Sequence, residues 1–326
     1  MTTNIEVFGT TASGQSVQAI HLRAGDLSAV VLTWGAVLQD LRLKGVGHGL
    51  TLGSDRLADY EGCMRYHGAL IGPVVNRISG AHATIAGQDR RFEANQDGRH
   101  CLHSGAAGTH LKVWTLQDAS ASHASLCLDL PDGEGGFPGN RRITARFTLI
   151  APATLHLSVT TSTDAPTLIN VANHSYWNLD GSQSLAGHRL RIAADHFLPT
   201  TADFTPTGEI AATAGTMHDF RTPREIAPEN PAFDTNFCLS QRRQPLRDVL
   251  WLTGSEGVEM TVATTEPGLQ IYDARDARRP GGPAYEGLAI EAQGWPDAPN
   301  HPDFPPITLA PGETCRQETR FSFRRT

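Results

Sequence analysis

The chain has 326 residues, 39% of them apolar and only 19% charged, with 27 Lys+Arg against 34 Asp+Glu for a formal charge of −7. That length and apolar content supply one large core or two ordinary ones, and they exclude a disordered or coiled-coil protein. The negative balance argues against a nucleic-acid or anionic-membrane partner.

In chain order, the start Met1-Thr2-Thr3-Asn4-Ile5-Glu6-Val7 lacks the basic-then-apolar pattern of a secretory signal. No run approaches the ~20 apolar residues of a membrane helix, so no membrane partner is expected. Ser16 to Leu22 alternates apolar and polar residues, and Val30 to Trp34 is β-branched and aromatic; both read as strands. Ser54 to Tyr60 reads as one or two turns of helix. Arg142–Ile150 and Thr154–Thr160, joined by Ala151-Pro152-Ala153, read as a hairpin. Gly257 to Thr264 alternates again. Turn residues recur at Pro131-Asp132-Gly133, Asp180-Gly181, Thr207-Gly208, Pro280-Gly281-Gly282 and Pro311-Gly312. Many short strands spaced by turns predict an all-β protein, an antiparallel sandwich or barrel with few short helices. Neither repeat nor linker interrupts it, so residues 1–326 read as a single domain with extended strands and additional sheets. The five cysteines, Cys63, Cys101, Cys127, Cys238 and Cys315, are odd in number and form no CxxC pair. Reduced thiols in the cytoplasm are expected, with neither disulfides nor a zinc ribbon.

Four segments carry more polar chemistry than a structural sandwich needs. Ile71 to Ile78 sets Asn76 and Arg77 inside an apolar run, where a guanidinium fork aims at oxygen acceptors or simply reaches solvent. His100-Cys101-Leu102-His103 has a metal-like spacing, but nothing nearby supplies a third ligand, so no metal is expected. Asn170 to Leu179 packs Asn, His, Ser, Tyr and Trp together, a mixture suited to a sugar's hydroxyl edge and CH faces. Taken alone, His174 reads first as a core histidine held by its neighbours. In Glu286 to Asp297 a period of two puts Leu288, Ile290 and Ala292 on one face and Ala289, Glu291 and Gln293 on the other. A carboxylate there must be satisfied, exposed or used, because burying it unpaired costs several kcal/mol. Asp234, between Phe233 and Phe237, and Gln270 with Tyr272, opposite Leu269 and Ile271, repeat the theme. Together these residues describe a polar pocket on a sheet face.

On these residues the chain resembles the aldose 1-epimerases, also called galactose mutarotases. The family's Gly-Arg-x-x-Asn-Arg-Ile segment is matched by Gly72 to Ile78, and its Leu-His-Gly-Gly-x-x-Gly by Leu102 to Gly108. Asn-His-Ser-Tyr-Phe-Asn-Leu is matched by Asn173 to Leu179. Phe197-Leu198-Pro199 and Pro206 to Ile210 match the central region. Phe-Asp-x-Asn-Phe is Phe233 to Phe237, Pro-Gly-x-Gln-x-Tyr is Pro267 to Tyr272, and Glu-x-Gln-x-Trp-Pro-Asp is Glu291 to Asp297. The matches fall in family order over most of the chain. Pro73 stands where the family has Arg, Ser104 where it has Gly, Thr109-His110-Leu111 where Phe-Asp-Lys is usual, and Trp177 where it has Phe. The resemblance implies a large antiparallel β-sandwich with a monosaccharide in a cleft on its concave face. It implies no cofactor.

Mutarotation opens a cyclic hemiacetal and recloses it on the other carbonyl face. It needs a base at the C1 hydroxyl, an acid at the ring oxygen, and a scaffold for the remaining hydroxyls. Glu291, ionised at neutral pH, is expected as the base and His174, with its ordinary pKa near ~6.5, as the acid. His103 is expected near the ring oxygen as a second donor and is the alternative to His174 as the acid. Asn76, Arg77, Asp234 and Gln270 are expected to hold hydroxyls. A monomer or weak homodimer is expected. The alternatives are a glycoside hydrolase using Asp234 and Glu291 and a non-catalytic carbohydrate-binding protein. A sugar-phosphate epimerase would need a cationic pocket that Arg221, Arg224, Arg242 and Arg243 do not define.

Overall fold

Period-two alternation becomes hydrogen-bonded strand over nearly half of the chain. The computed structural model describes residues 4–325. Arg141–Ile150 and Thr154–Thr163 pair in full antiparallel register, with Ile150 opposite Thr154 as the expected hairpin requires. Ile143, Ala145, Phe147 and Leu149 are buried along one face. The strand Thr314–Arg325 threads between Thr154–Thr163 and Val258–Thr264 and centres a nine-stranded sheet. A four-stranded meander runs Asn4–Thr10, Ser16–Ala24, Leu27–Leu32, Leu38–Leu43. A six-stranded sheet sets Tyr176–Trp177, Leu288–Gln293, Gly268–Tyr272, Asp234–Cys238, His196–Leu198 and Ala211–Ala212 side by side. Of the sandwich or barrel that the strand spacing predicts, the large antiparallel sandwich implied by the family resemblance is the one that forms. The one α-helix among the described residues, Leu57–Glu61, falls where a turn or two was expected. None of the described helices is long and apolar enough to cross a membrane.

One apolar cluster joins the three sheets. It takes Leu22 and Val31 from the meander, Phe147, Leu157, Val262 and Phe321 from the large sheet, and Leu269, Ile271, Leu288 and Ile290 from the six-stranded sheet. This cluster decides which way the strand Leu288–Gln293 faces. Rotating it by one residue would withdraw Leu288, Ile290 and Ala292 from the core, at about 1.5–3 kcal/mol for each large side chain, and would push a carboxylate in. Core packing therefore turns Glu291 to the opposite side.

Two local readings are corrected. The strand predicted through Trp34 ends at Leu32, and Trp34 makes only an isolated bridge to Val113. Asn170 to Leu179 is no continuous strand. It breaks into Ala172–Asn173, paired with Leu70–Ile71, and Tyr176–Trp177, paired with Leu288–Gln293, because the chain changes sheets between them.

Candidate active site

Antiparallel register brings the first polar residues together. Gln270 lies opposite both Glu291 and Asn236, and Tyr272 opposite both Asp234 and Ala289. Directly opposed residues share a face. Glu291, Gln270, Asp234 and Tyr272 therefore stand on one side of the sheet whose reverse is the core. Gln270 Nε2 donates to Asp234 Oδ1 at 2.6 Å.

The second group comes from corners. His174 occupies the step between the two short strands, and both its backbone groups are tied down: its N–H donates to Ala69 O (2.8 Å) and its carbonyl accepts from Gly68 N (3.0 Å). Gly68 has φ +71, and a Cβ there would sit 2.3 Å from Leu38 O, so only glycine lets the two chains approach so closely. The imidazole Nε2 is thereby held 3.5 Å from Glu291 Oε1. His103 and Ser104 are not on strands, as a pocket of β segments would have them. Both sit in a left-handed turn with φ 53 and 63, and Asn76 also has positive φ, 62. Each such residue costs about 1–2 kcal/mol, and mutual bonds offset it. His103 N donates to Asn76 O (2.8 Å), and Asn76 N donates to His103 Nδ1 (3.1 Å). Since Nδ1 accepts, the neutral ring carries its proton on Nε2. Ser104 earns its place in the family's glycine position by bridging the Val74 backbone, accepting at 3.0 Å and donating at 2.9 Å.

Arg77 is the hinge of the site. Its Nη2 lies 3.3 Å from Asp234 Oδ2, its Nε donates to Gln96 Oε1 at 2.9 Å, and its Nη1 reaches Asn76 Oδ1 at 3.5 Å. All seven residues expected from the sequence, Asn76, Arg77, His103, His174, Asp234, Gln270 and Glu291, line one cleft of about 390 Å³. That volume falls in the range of small-ligand pockets. The two histidines of the His-x-x-His spacing are separated in function: His103 faces the cleft, whereas His100 Nδ1 accepts from Gly80 N.

Burial changes the protonation expected from the sequence. Glu291 is 2% exposed and His174 4% exposed. Burial, reinforced by the Asp234 charge and opposed by Arg77, raises the Glu291 carboxyl well above its usual value. Burial pulls His174 down to about 4 and His103 well below its ordinary value. The ordinary ionisation of both groups is thus corrected. Desolvation favours the neutral acid and neutral imidazole in the open cleft. That state holds the same number of protons as carboxylate plus imidazolium, and the 3.5 Å gap makes the two interconvertible through a bridging group.

Several lining residues escaped the sequence reading. Tyr66 stacks on His174 (5.8 Å, 24°) and lies 4.7 Å from the His103 ring and 5.1 Å from His110. His67 packs on Tyr176 at 4.3 Å. Phe204 and Arg275 also line the cleft. A Tyr-His pair ahead of the apolar Ala69-Leu70-Ile71 run was the available signal for the first two. Phe204 and Arg275 sit in turns, where no periodicity marks them.

The architecture is that of galactose mutarotase-like proteins. A homologue of aldose epimerase from Caenorhabditis elegans superimposes with TM-score 0.89 at 27% identity, covering 94% of this chain and 99% of that one. The galactose 1-epimerase of Lactobacillus acidophilus gives 0.86 at 25% identity, covering 100% and 99%. The sequence profile described as Aldose 1-epimerase matches residues 18–322. Galactose mutarotase of Mus musculus is 33% identical over 97% of both chains, and aldose 1-epimerase of Escherichia coli K12 is 30% identical over 95% of this chain and 96% of its own. The chain belongs to the aldose 1-epimerase family.

Proposed function

We propose that this protein is a mutarotase that interconverts the α and β anomers of a free aldose, with Glu291 and His174 as the proton-transfer pair. The observation that carries the reading is the 3.5 Å approach of a buried imidazole to a buried carboxylate at the floor of a hydroxyl-binding cleft. With sugar bound, Glu291 takes the proton of the C1 hydroxyl while His174 gives one to the ring oxygen. The C1–O5 bond breaks and the C1 carbonyl forms. The aldehyde turns about C1–C2, then the O5 hydroxyl returns its proton to His174 as it attacks C1, and Glu291 reprotonates O1. Ring opening leaves the acid and the imidazole neutral, the state that burial already favours. The desolvated site therefore lowers the cost of the open-chain intermediate. His103, with its proton on Nε2, supports the developing charge at the ring oxygen as a second donor.

Asn76, Arg77, Asp234 and Gln270 hold the other hydroxyls in this reading. Their support is the linked network from Gln96 through Arg77 and Asp234 to Gln270, which fixes donors and acceptors before sugar arrives. Neither a hydrolase nor a passive binding module is favoured by membership of an epimerase family. The decay of optical rotation of freshly dissolved α-D-glucose or α-D-galactose tests the reading directly. No acceleration over buffer would refute it.

Asp234→Asn should raise KM about 10-fold or more and lower kcat as well, since it removes both a hydroxyl acceptor and the counter-charge of Arg77. An unchanged KM would take Asp234 out of the binding set. The pH profile is a separate check. The working pair holds one exchangeable proton; a second, gained in acid, removes the base, and loss of the only one in alkali removes the acid. With His174 pulled down to about 4 and Glu291 raised, the acid limb of kcat/KM should fall below about pH 5. A limb centred near ~6.5 would show that the imidazole titrates as if solvated.

We extend the reading to one domain, 1–326, in the cytoplasm, as a monomer or weak homodimer. Its supports are the shared core of the three sheets for the single domain and the five free cysteines for the compartment.

A further inference from the structure

The segment that carries Glu291 continues past its strand through Gly294-Trp295-Pro296 to Asp297. Asp297 is buried, its backbone is left-handed with φ 56, and it is absent from the cleft lining. A carboxylate buried away from the cleft must be satisfied by its neighbours. Two of its bonds go to one short piece of chain. Asp297 N donates to Arg77 O (3.1 Å), and Asp297 Oδ1 accepts from Ser79 N (2.9 Å). Together they bracket Ile78 as a neighbouring parallel strand would, with a carboxylate oxygen in place of a main-chain carbonyl. On its other edge the two-residue strand Arg77–Ile78 pairs with Cys101–Leu102. Asp297 thus stands in for a third strand.

The carboxylate is itself held from behind. Asn300 Nδ2 donates to the same Oδ1 at 2.7 Å and to His82 O at 3.1 Å, and His301 Nε2 lies 3.2 Å from Oδ2. His301 stacks on Phe304 (4.5 Å, 29°), whose ring meets the Trp295 ring edge-on at 5.1 Å. Trp295 is fully buried, and its Nε1 donates to Pro267 O at 2.9 Å. What this assembly grips is the backbone on either side of Ile78. The side chain of Arg77 then reaches Asp234, Gln96 and Asn76 from that strand. A backbone shift of a fraction of an ångström at Arg77 is carried to the guanidinium, where catalytic geometry tolerates little.

Resting on the mutarotase reading, we infer that Asp297 is a positioning residue for Arg77. It fixes the strand Arg77–Ile78 against the segment that carries Glu291, so the proton acceptor and the hydroxyl-binding guanidinium keep one spacing. Asp297 acts on the sugar only through Arg77.

The test measures mutarotation of α-D-galactose and calorimetric binding of D-galactose in wild type, Asp297→Gly, Asp297→Asn, Arg77→Met and the double variant Arg77→Met/Asp297→Gly. Glycine accepts φ 56 and keeps the N–H that bonds Arg77 O, so it removes the carboxylate alone. Asp297→Gly should lower kcat/KM about 10-fold and weaken galactose binding with it. Asp297→Asn keeps an oxygen for Ser79 N and should hold both quantities within about 2-fold of wild type. In the Arg77→Met background, Asp297→Gly should cost less than about 2-fold more in kcat/KM, because the group it positions is gone. Losses that multiply in the double variant would overturn the proposal. So would an Asn variant as impaired as the Gly variant, or a Gly variant with wild-type kinetics and affinity. An Asp297→Gly protein that does not fold, beside a wild-type-like Asp297→Asn, gives the residue to the fold alone and also overturns it. A wild type that binds galactose without accelerating its mutarotation refutes the mutarotase reading, and the binding series then decides the role of Asp297. One that neither binds nor turns over galactose refutes both.

Discussion

Glu291→Gln is expected to lower kcat by about 10²–10⁴-fold with KM nearly unchanged. An amide keeps the shape and the hydrogen-bonding edge of the side chain but cannot take the C1 hydroxyl proton, and general-base help is worth that much, roughly 3–5 kcal/mol of the barrier. Binding survives because Arg77, Asp234 and Gln270 remain linked in the same network. Retention of more than about a tenth of wild-type kcat would remove Glu291 from the base role. The variant should not be less stable. A carboxyl whose pKa is raised by folding contributes stability below its unfolded value and loses it as pH rises through the folded one. At neutral pH the native state bears the cost of keeping that carboxyl buried, and Gln does not. A melting temperature equal to or above wild type, alongside the collapse in kcat, separates lost chemistry from lost structure.

His174→Asn is expected to cost a similar factor, about 10²-fold or more in kcat. Its backbone bonds to Ala69 and Gly68 do not involve the ring, so the corner that carries it should persist. The double variant with Glu291→Gln should be little worse than either single one, because proton acceptor and donor act on the same ring opening and neither is useful without the other. Multiplying losses would mean that the two residues serve separate steps. His103→Asn distinguishes the two histidines. If it abolished turnover while His174→Asn kept more than a tenth of kcat, delivery of the ring-oxygen proton would pass to His103.

Residue type and order pointed to an all-β sandwich or barrel with polar residues on one sheet face, and the family resemblance settled on the sandwich and on the seven side chains that line its cleft. The reason is local: period-two alternation commits a strand to one face, and a carboxylate at Glu291 or an arginine at Arg77 inside apolar surroundings must have a purpose. The strand Leu288–Gln293 shows how far this reaches, since Leu288, Ile290 and Ala292 marked the core face before any fold was known. Other facts depend on distant chain segments meeting. Protonation was misread because the 2% exposure of Glu291 arises from the closure of three sheets around it, and desolvation is a property of surroundings no single segment contains. His174 reads as part of a strand, yet it sits at a corner created by a change of sheet. Phe204, Tyr66 and Arg275 carry no periodic mark, because turns are specified by backbone torsion and tertiary contact. The resemblance of its motifs named the chemistry; only the packed molecule decided how far apart its groups stand and which of them hold protons.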